Sequence, residues 1–136
     1  MRVLIDTNVI LDLICIRRAY VREAHKIISL CAEKKLEGYI APQSFVEIHS
    51  ILRNVMTFDE RRRLLTGFCW LLTVVGIDRD IIIATLENEN FADVEDSLIS
   101  QCAKSCGAEY IITRNTENFQ NSSVPAITPA DFVNLL

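Results

Sequence analysis

Apolar residues along this chain come in short runs that break at polar or turn-forming positions, and the spacing alternates between strand-like and helix-like. Val3-Leu4-Ile5 is a run that stops abruptly at a carboxylate, so Arg2 to Ile5 reads as a buried strand ending at Asp6. Thr7 or Asn8 is suited to cap a short helix reaching Ile14, because a side-chain oxygen there accepts an orphan backbone N–H. Ala24, Ile27, Ile28, Cys31 and Ala32 fall at helical spacing and predict a helix from Tyr20 to Lys35. Gly38 to Ala41 follows as a strand. Pro42 then opens a helix whose apolar stripe is Phe45, Ile48, Leu52 and Val55.

Thr57 or Asp59 starts another helix toward Leu72, and β-branched Thr73 to Ile77 reads as a strand. Asp78 caps a helix over Ile81 to Leu86. A helix from Asp93 to Cys106 stops at Gly107, a residue suited to a left-handed cap. Tyr110 to Thr113 and Pro125 to Ile127 are the last strands, and Thr128 with Pro129 opens a final helix to Leu136. Strands alternating with helices predict an α/β fold: a three-layer α/β/α, Rossmann-like parallel sheet. In such a sheet ligands collect beyond the carboxyl ends of the strands, where Asp6 and Thr113-Arg114-Asn115 lie.

Composition adds constraints. The 136 residues suit one domain spanning 1–136. Half are apolar and the mean hydropathy is +0.23, as expected when strands are covered on both faces. No apolar stretch approaches the ~18 residues that a membrane span requires, and the N-terminus lacks the pattern of an export signal. The five cysteines are odd in number and irregular in spacing, each within an apolar run, which predicts small core side chains in a reducing cytoplasm. The net charge of −4 is uneven: residues 1–68 hold 11 basic and 8 acidic side chains, residues 69–136 hold 3 and 10. The clusters Arg17-Arg18-Arg22 and Arg61-Arg62-Arg63 are either solvated helix faces or a means of steering a polyanion.

Several hydrophobic segments each carry an oxygen-bearing side chain. Asp6 is either a helix cap or a ligand at a strand end. Glu47 borders an apolar stripe, so it is paired (with Arg53, for example), solvated in a cleft, or bound to a cation. Asp93 and Asp96 stand three apart on one helix surface and repel unless a cation or water separates them. Capping accounts for Asp93 and dipole preference for Asp96, although less well for the pair. Asn115 caps a turn or contacts the water around an ion, and Arg114 is either a phosphate contact or a surface charge. His25 and His49 lie away from this pattern. An all-oxygen set suits Mg²⁺ or Mn²⁺ rather than zinc.

These features together resemble the PIN domain family. The residues that carry the resemblance are Val3-Leu4-Ile5-Asp6-Thr7-Asn8-Val9-Ile10-Leu11-Asp12, Glu47, Asp93-Val94-Glu95-Asp96-Ser97-Leu98 and Ala108-Glu109-Tyr110-Ile111-Ile112-Thr113-Arg114-Asn115, closing with Phe119 and Thr128-Pro129. The resemblance implies a Mg²⁺- or Mn²⁺-dependent endoribonuclease, in many relatives the toxin of a toxin–antitoxin pair. Carried onto this chain, it makes Asp6, Glu47 and Asp96 the metal ligands, with Asp93 and Asn115 as supporting catalytic members. Asn8, Thr113 and Arg114 are expected on the substrate side. Expected partners are RNA, an antitoxin protein and a second copy of the chain. Two departures stand out: many relatives carry Asp at the position of Asn115, and often an Asp where Asn118 precedes Phe119. These favour, as the alternative, a degenerate module that binds RNA or protein without cutting. A haloacid dehalogenase-type phosphatase also begins with a strand ending in Asp, but needs an acid two residues on, where this chain has Asn8.

Overall fold

The computed structural model describes all 136 residues. Five strands form one sheet: β1 (Arg2–Ile5), β2 (Glu37–Ile40), β3 (Thr73–Val74), β4 (Tyr110–Ile112) and β5 (Ala126–Ile127). The order is β3-β2-β1-β4-β5 and every pairing is parallel, the α/β arrangement expected from the alternating pattern. Six α-helices connect the strands and a seventh follows the last one: α1 (Thr7–Ile14), α2 (Val21–Ala32), α3 (Pro42–Ile51), α4 (Phe58–Leu71), α5 (Arg79–Glu87), α6 (Val94–Ser105) and, after β5, α7 (Pro129–Asn134). Short 3₁₀ turns follow α3 (Leu52–Asn54) and β4 (Thr116–Phe119).

Successive strand side chains point to opposite faces, so each strand feeds two cores. Val3, Ile5, Ile40 and Ile112 pack with Val9, Ile10, Ile27, Ile48, Leu52 and Phe132 on one side. Leu4 and Ile111 pack with Ile99, Cys102, Ala103 and Phe119 on the other. No helix is long and apolar enough to cross a membrane.

The sheet reverses direction of growth between β1 and β4, and this switch point sets the site. The register places Ile5 opposite Ile112, and the Asp6 N–H donates to the Ile112 carbonyl at 3.0 Å. The residue after each strand, Asp6 and Thr113, is therefore brought to the same crevice from 107 positions apart.

Several boundaries differ from the sequence reading. Asp6, rather than Thr7 or Asn8, caps α1, its side chain accepting the Thr7 N–H at 2.8 Å. Lys34 takes a left-handed φ of 59° and ends α2 before Lys35. The tighter turn after Ile51 rotates the chain, so Val55 leaves the predicted stripe and is 76% exposed. The strand expected over Thr73 to Ile77 pairs only at Thr73 and Val74. Cys31 and Cys102 are buried, and burial pushes their thiols up to about 11, but Cys15 and Cys69 are exposed rather than in the core.

Gly38 in β2 is required by packing. A Cβ there would meet Cys31 Sγ at 2.6 Å and Leu72 Cδ2 at 2.7 Å, so α2 and the end of α4 close onto bare backbone. Gly38→Ala is expected to destabilise the fold by about 1–3 kcal/mol, the usual cost of overpacking, measured by urea unfolding. A neutral result would mean that these layers are not in close contact.

Candidate functional site

Beyond the ends of β1 and β4 lies a cleft of about 310 Å³. Its walls include the carboxylates of Asp6, Glu47, Asp93, Glu95 and Asp96, together with Asn8, Gln43, Asn115 and Asn118. No lysine, arginine or histidine lines it.

Asp6 is buried and held on both oxygens. Oδ1 accepts the Thr7 N–H, while Oδ2 accepts the Thr113 hydroxyl at 2.8 Å and the Asn8 amide at 3.2 Å. Asn8 also donates to Thr113 Oγ1, and its own carbonyl oxygen accepts the Arg114 N–H, both at 3.2 Å. The Asn115 N–H donates to Thr113 Oγ1 at 3.1 Å. Thr113 is therefore fully enclosed, and Asn8 is bonded on each side. Both orient Asp6 and the β4 turn, and the enclosed Thr113 hydroxyl has no room for the substrate contact expected of it.

Glu47 comes from the exposed edge of α3. The Thr7 hydroxyl donates to its Oε2 at 2.8 Å and lies 2.7 Å from Ser44 Oγ, whose hydrogen it can receive. Glu47 thus turns toward α1, and the pairing with Arg53 considered above is not formed. Asp93 caps α6, accepting the Glu95 N–H at 2.8 Å, and Asp96 sits in the first turn. His49 is engaged with Arg61, away from the cleft.

Sequence reasoning missed three of these residues. Glu95 reads in sequence as one more acid in a first helical turn, yet it faces Glu47 across the cleft. Gln43 is buried against the cleft with neither side-chain Nε2 nor Oε1 bonded to protein. Asp12 is completely buried in α1, with Arg17 Nη1 at 3.1 Å from Oδ1 and Arg114 Nε at 2.8 Å from Oδ2. The Arg114 N–H points off the line to Oδ2, so that contact is an ion pair more than a directional hydrogen bond. Arg114 also stacks on Tyr20, 4.2 Å from the ring centroid.

Burial, and for some groups neighbouring carboxylates, raise proton affinity in the cleft. Asp96 is pushed up to about 6, first by burial and then by the charges of Asp93, Asp6, Glu95 and Glu47. Burial also raises Asp6, opposed by Thr113, the Thr7 N–H and the charge of Arg114. Glu95 is raised by a hydrogen bond to Glu47 and then by that residue's charge.

No three acidic or imidazole side chains converge tightly enough to hold an ion between them. The donor set nevertheless fits a hard divalent ion. It is all oxygen, it lacks a cationic side chain, and Gln43 leaves an orphaned amide that a hydrated ion satisfies.

Because the folded-state proton affinity of Asp96 exceeds its ordinary value of 3.8, this group favours folding most at low pH. That contribution is lost as pH rises toward about 6. In metal-free buffer the melting temperature of Asp96→Asn is expected to gain on wild type across this window. Millimolar Mg²⁺ should narrow the gap at neutral pH by stabilising wild type alone. A gap independent of pH would show that Asp96 is not strained by its neighbours.

No curated protein matches the sequence. Solved structures share the fold: a toxin–antitoxin complex from Klebsiella pneumoniae (21% identity, TM-score 0.69, 93% of this chain and 97% of that one). VapBC-1 from nontypeable Haemophilus influenzae superposes with a TM-score of 0.72 at 18% identity, covering 96% and 99% of the two chains. VapBC2 from Rickettsia felis, bound to a DNA fragment from their promoter, gives 0.71 at 15% identity, covering 94% and 98%. The PIN domain model matches residues 2–117, a span that contains all five carboxylates of the cleft, and the chain belongs to the PIN domain family.

Proposed function

We propose that this protein is a divalent-metal-dependent endoribonuclease, a single PIN-like domain over residues 1–136 acting in the cytoplasm with Mg²⁺ or Mn²⁺. The observation that carries the reading is the cleft itself, with five carboxylates, no basic side chain and raised proton affinity at Asp96. Membership of a family whose members are generally nucleases supports it.

In this reading Asp6, Glu47 and Asp96 hold the ion, and Asp93 and Asn115 flank it. When bound, the ion polarises a phosphoryl oxygen, lowers the pKa of water and neutralises the leaving oxyanion. The protein's own part is orientation. Thr113, Asn8 and the Thr7 N–H fix both oxygens of Asp6, and the Thr7 hydroxyl aims Glu47. Asp93 is tied as a cap, so its carboxylate supplies charge at the rim rather than a mobile ligand.

The test is cleavage of single-stranded RNA by purified protein with Mn²⁺ or Mg²⁺, against an EDTA control. Turnover that survives complete chelation would defeat the proposal. The second reading, a PIN-like module that binds without cutting, is favoured by Asn115 and Asn118 in place of acids and by the open spacing of the carboxylates. RNA binding with no metal-dependent turnover would select it.

Toxin–antitoxin complexes among the similar folds support an antitoxin as protein partner. So do the exposed Val46, Ile51, Val55 and Phe58, of which Ile51 reaches the cleft wall. A homodimer is proposed as well, to be tested by sedimentation.

A further inference from the structure

We infer that Arg114 heads a phosphate subsite beside the acidic cleft, one that grips the backbone of a neighbouring nucleotide in single-stranded RNA rather than the linkage that is cut. The inference rests on the ribonuclease reading and extends it. A cavity of about 440 Å³ is walled by Tyr20, Glu23, Arg114, Asn115 and Thr128. It shares Asn115 with the acidic cleft, so the two hollows adjoin. Its size falls within the ~300–1,000 Å³ of ordinary ligand sites.

Arg114 is held as a binding group rather than as a free surface charge. Asp12, completely buried, takes its Nε at 2.8 Å, and the Tyr20 ring lies 4.2 Å from the guanidinium carbon. The ion pair and the Tyr20 contact hold the guanidinium in place, while neither terminal nitrogen bonds to protein and the side chain is 26% exposed. A planar fork fixed in advance matches two phosphate oxygens and loses little freedom on binding.

Arg114 is also not needed to neutralise Asp12, because Arg17 already bonds the other oxygen at 3.1 Å. One carboxylate shared by two guanidiniums leaves surplus positive charge beside a cleft that repels polyanions. The charge reaches the cleft, since Arg114 is felt at Asp6. Glu23 in the same lining disfavours a second anionic group and can accept from a ribose hydroxyl.

The test measures binding of a short fluorescent single-stranded RNA by anisotropy across a salt series, in EDTA, for wild type, Arg114→Gln and Arg62→Gln. Arg17 keeps Asp12 paired in the first variant. A double variant, Asp12→Asn with Arg114→Gln, replaces it if melting shows that the single variant does not fold. Arg62, exposed and paired with Asp59, controls for loss of one charge. Expected is a loss of about tenfold or more with Arg114→Gln and a slope of log K against log salt shallower by ~0.7, with Arg62→Gln near wild type. On wild-type protein, a scan of single methylphosphonate linkages should find one sensitive position beside the cleaved bond. Wild-type affinity and slope in folded Arg114→Gln, an equal loss with Arg62→Gln, or a scan without a sensitive position overturns the subsite and leaves the nuclease reading intact. RNA that binds at the subsite but is never cut with Mn²⁺ sinks the nuclease reading alone. Wild type that binds no RNA overturns both.

Discussion

Asp96→Asn is expected to abolish Mn²⁺-dependent RNA cleavage, by about 10²–10⁴-fold, while leaving the metal-free protein folded and at neutral pH more stable than wild type. The two halves of this outcome share one cause. Asp96 is half-buried among four other carboxylates, and its proton affinity is raised to about 6, so its charge is held against a cost. Asparagine keeps the shape and removes the charge. Stability rises because a charge held at the cost of desolvation, and then of repulsion, is removed. On the proposed reading, activity falls because an ion that would contribute several kcal/mol of charge stabilisation loses a ligand, and each 1.36 kcal/mol is a factor of ten. A merely structural aspartate gives the opposite pattern, with stability and activity falling together. Cleavage assays beside thermal melts in EDTA decide it, and an active Asp96→Asn variant would remove this residue from the site.

The largest loss of stability is expected from Asp12→Ala. Its carboxylate is a completely buried anion that ties α1 to the turn after β4 by ion pairs with Arg17 and Arg114. Removing it leaves two guanidiniums facing each other without a counter-charge, and breaking a buried pair in this way typically costs about 3–5 kcal/mol. The lower end applies because both arginines reach water. Urea unfolding should show a midpoint shift at constant m-value. A change below about 1 kcal/mol would mean that solvent already satisfies both arginines. Asp12→Asn keeps an acceptor and should cost less.

The outline of this molecule could be read before any coordinates, because strands and helices that bury continuous faces leave a periodic trace. Asp6 and Thr113 were identifiable as strand-end residues from apolar runs that stop at them. The helix caps at Asp78, Asp93 and Thr128 were equally visible, since capping is a local reaction of side chain with backbone. What stayed hidden depends on contacts between distant segments. Asp12 lies on the apolar side of a short helix, and nothing nearby explains it until parallel pairing of β1 and β4 delivers Arg114. The same pairing gives Arg114 its anchored geometry, where sequence left surface charge and phosphate contact as equal readings. Glu95 is indistinguishable in sequence from a dipole-favoured acid, and its partner Glu47 comes from another helix. Val55 was misplaced for a local reason, a tightened turn that no periodicity announces.

The two outermost strands, Thr73–Val74 and Ala126–Ile127, offer only two residues apiece to a would-be neighbour. Strand addition, which recruits a peptide through successive main-chain bonds along a border, has almost no template on either flank. A protein partner is therefore recognised by side chains rather than by an added strand, and borders this brief also deny aggregation its easiest seed.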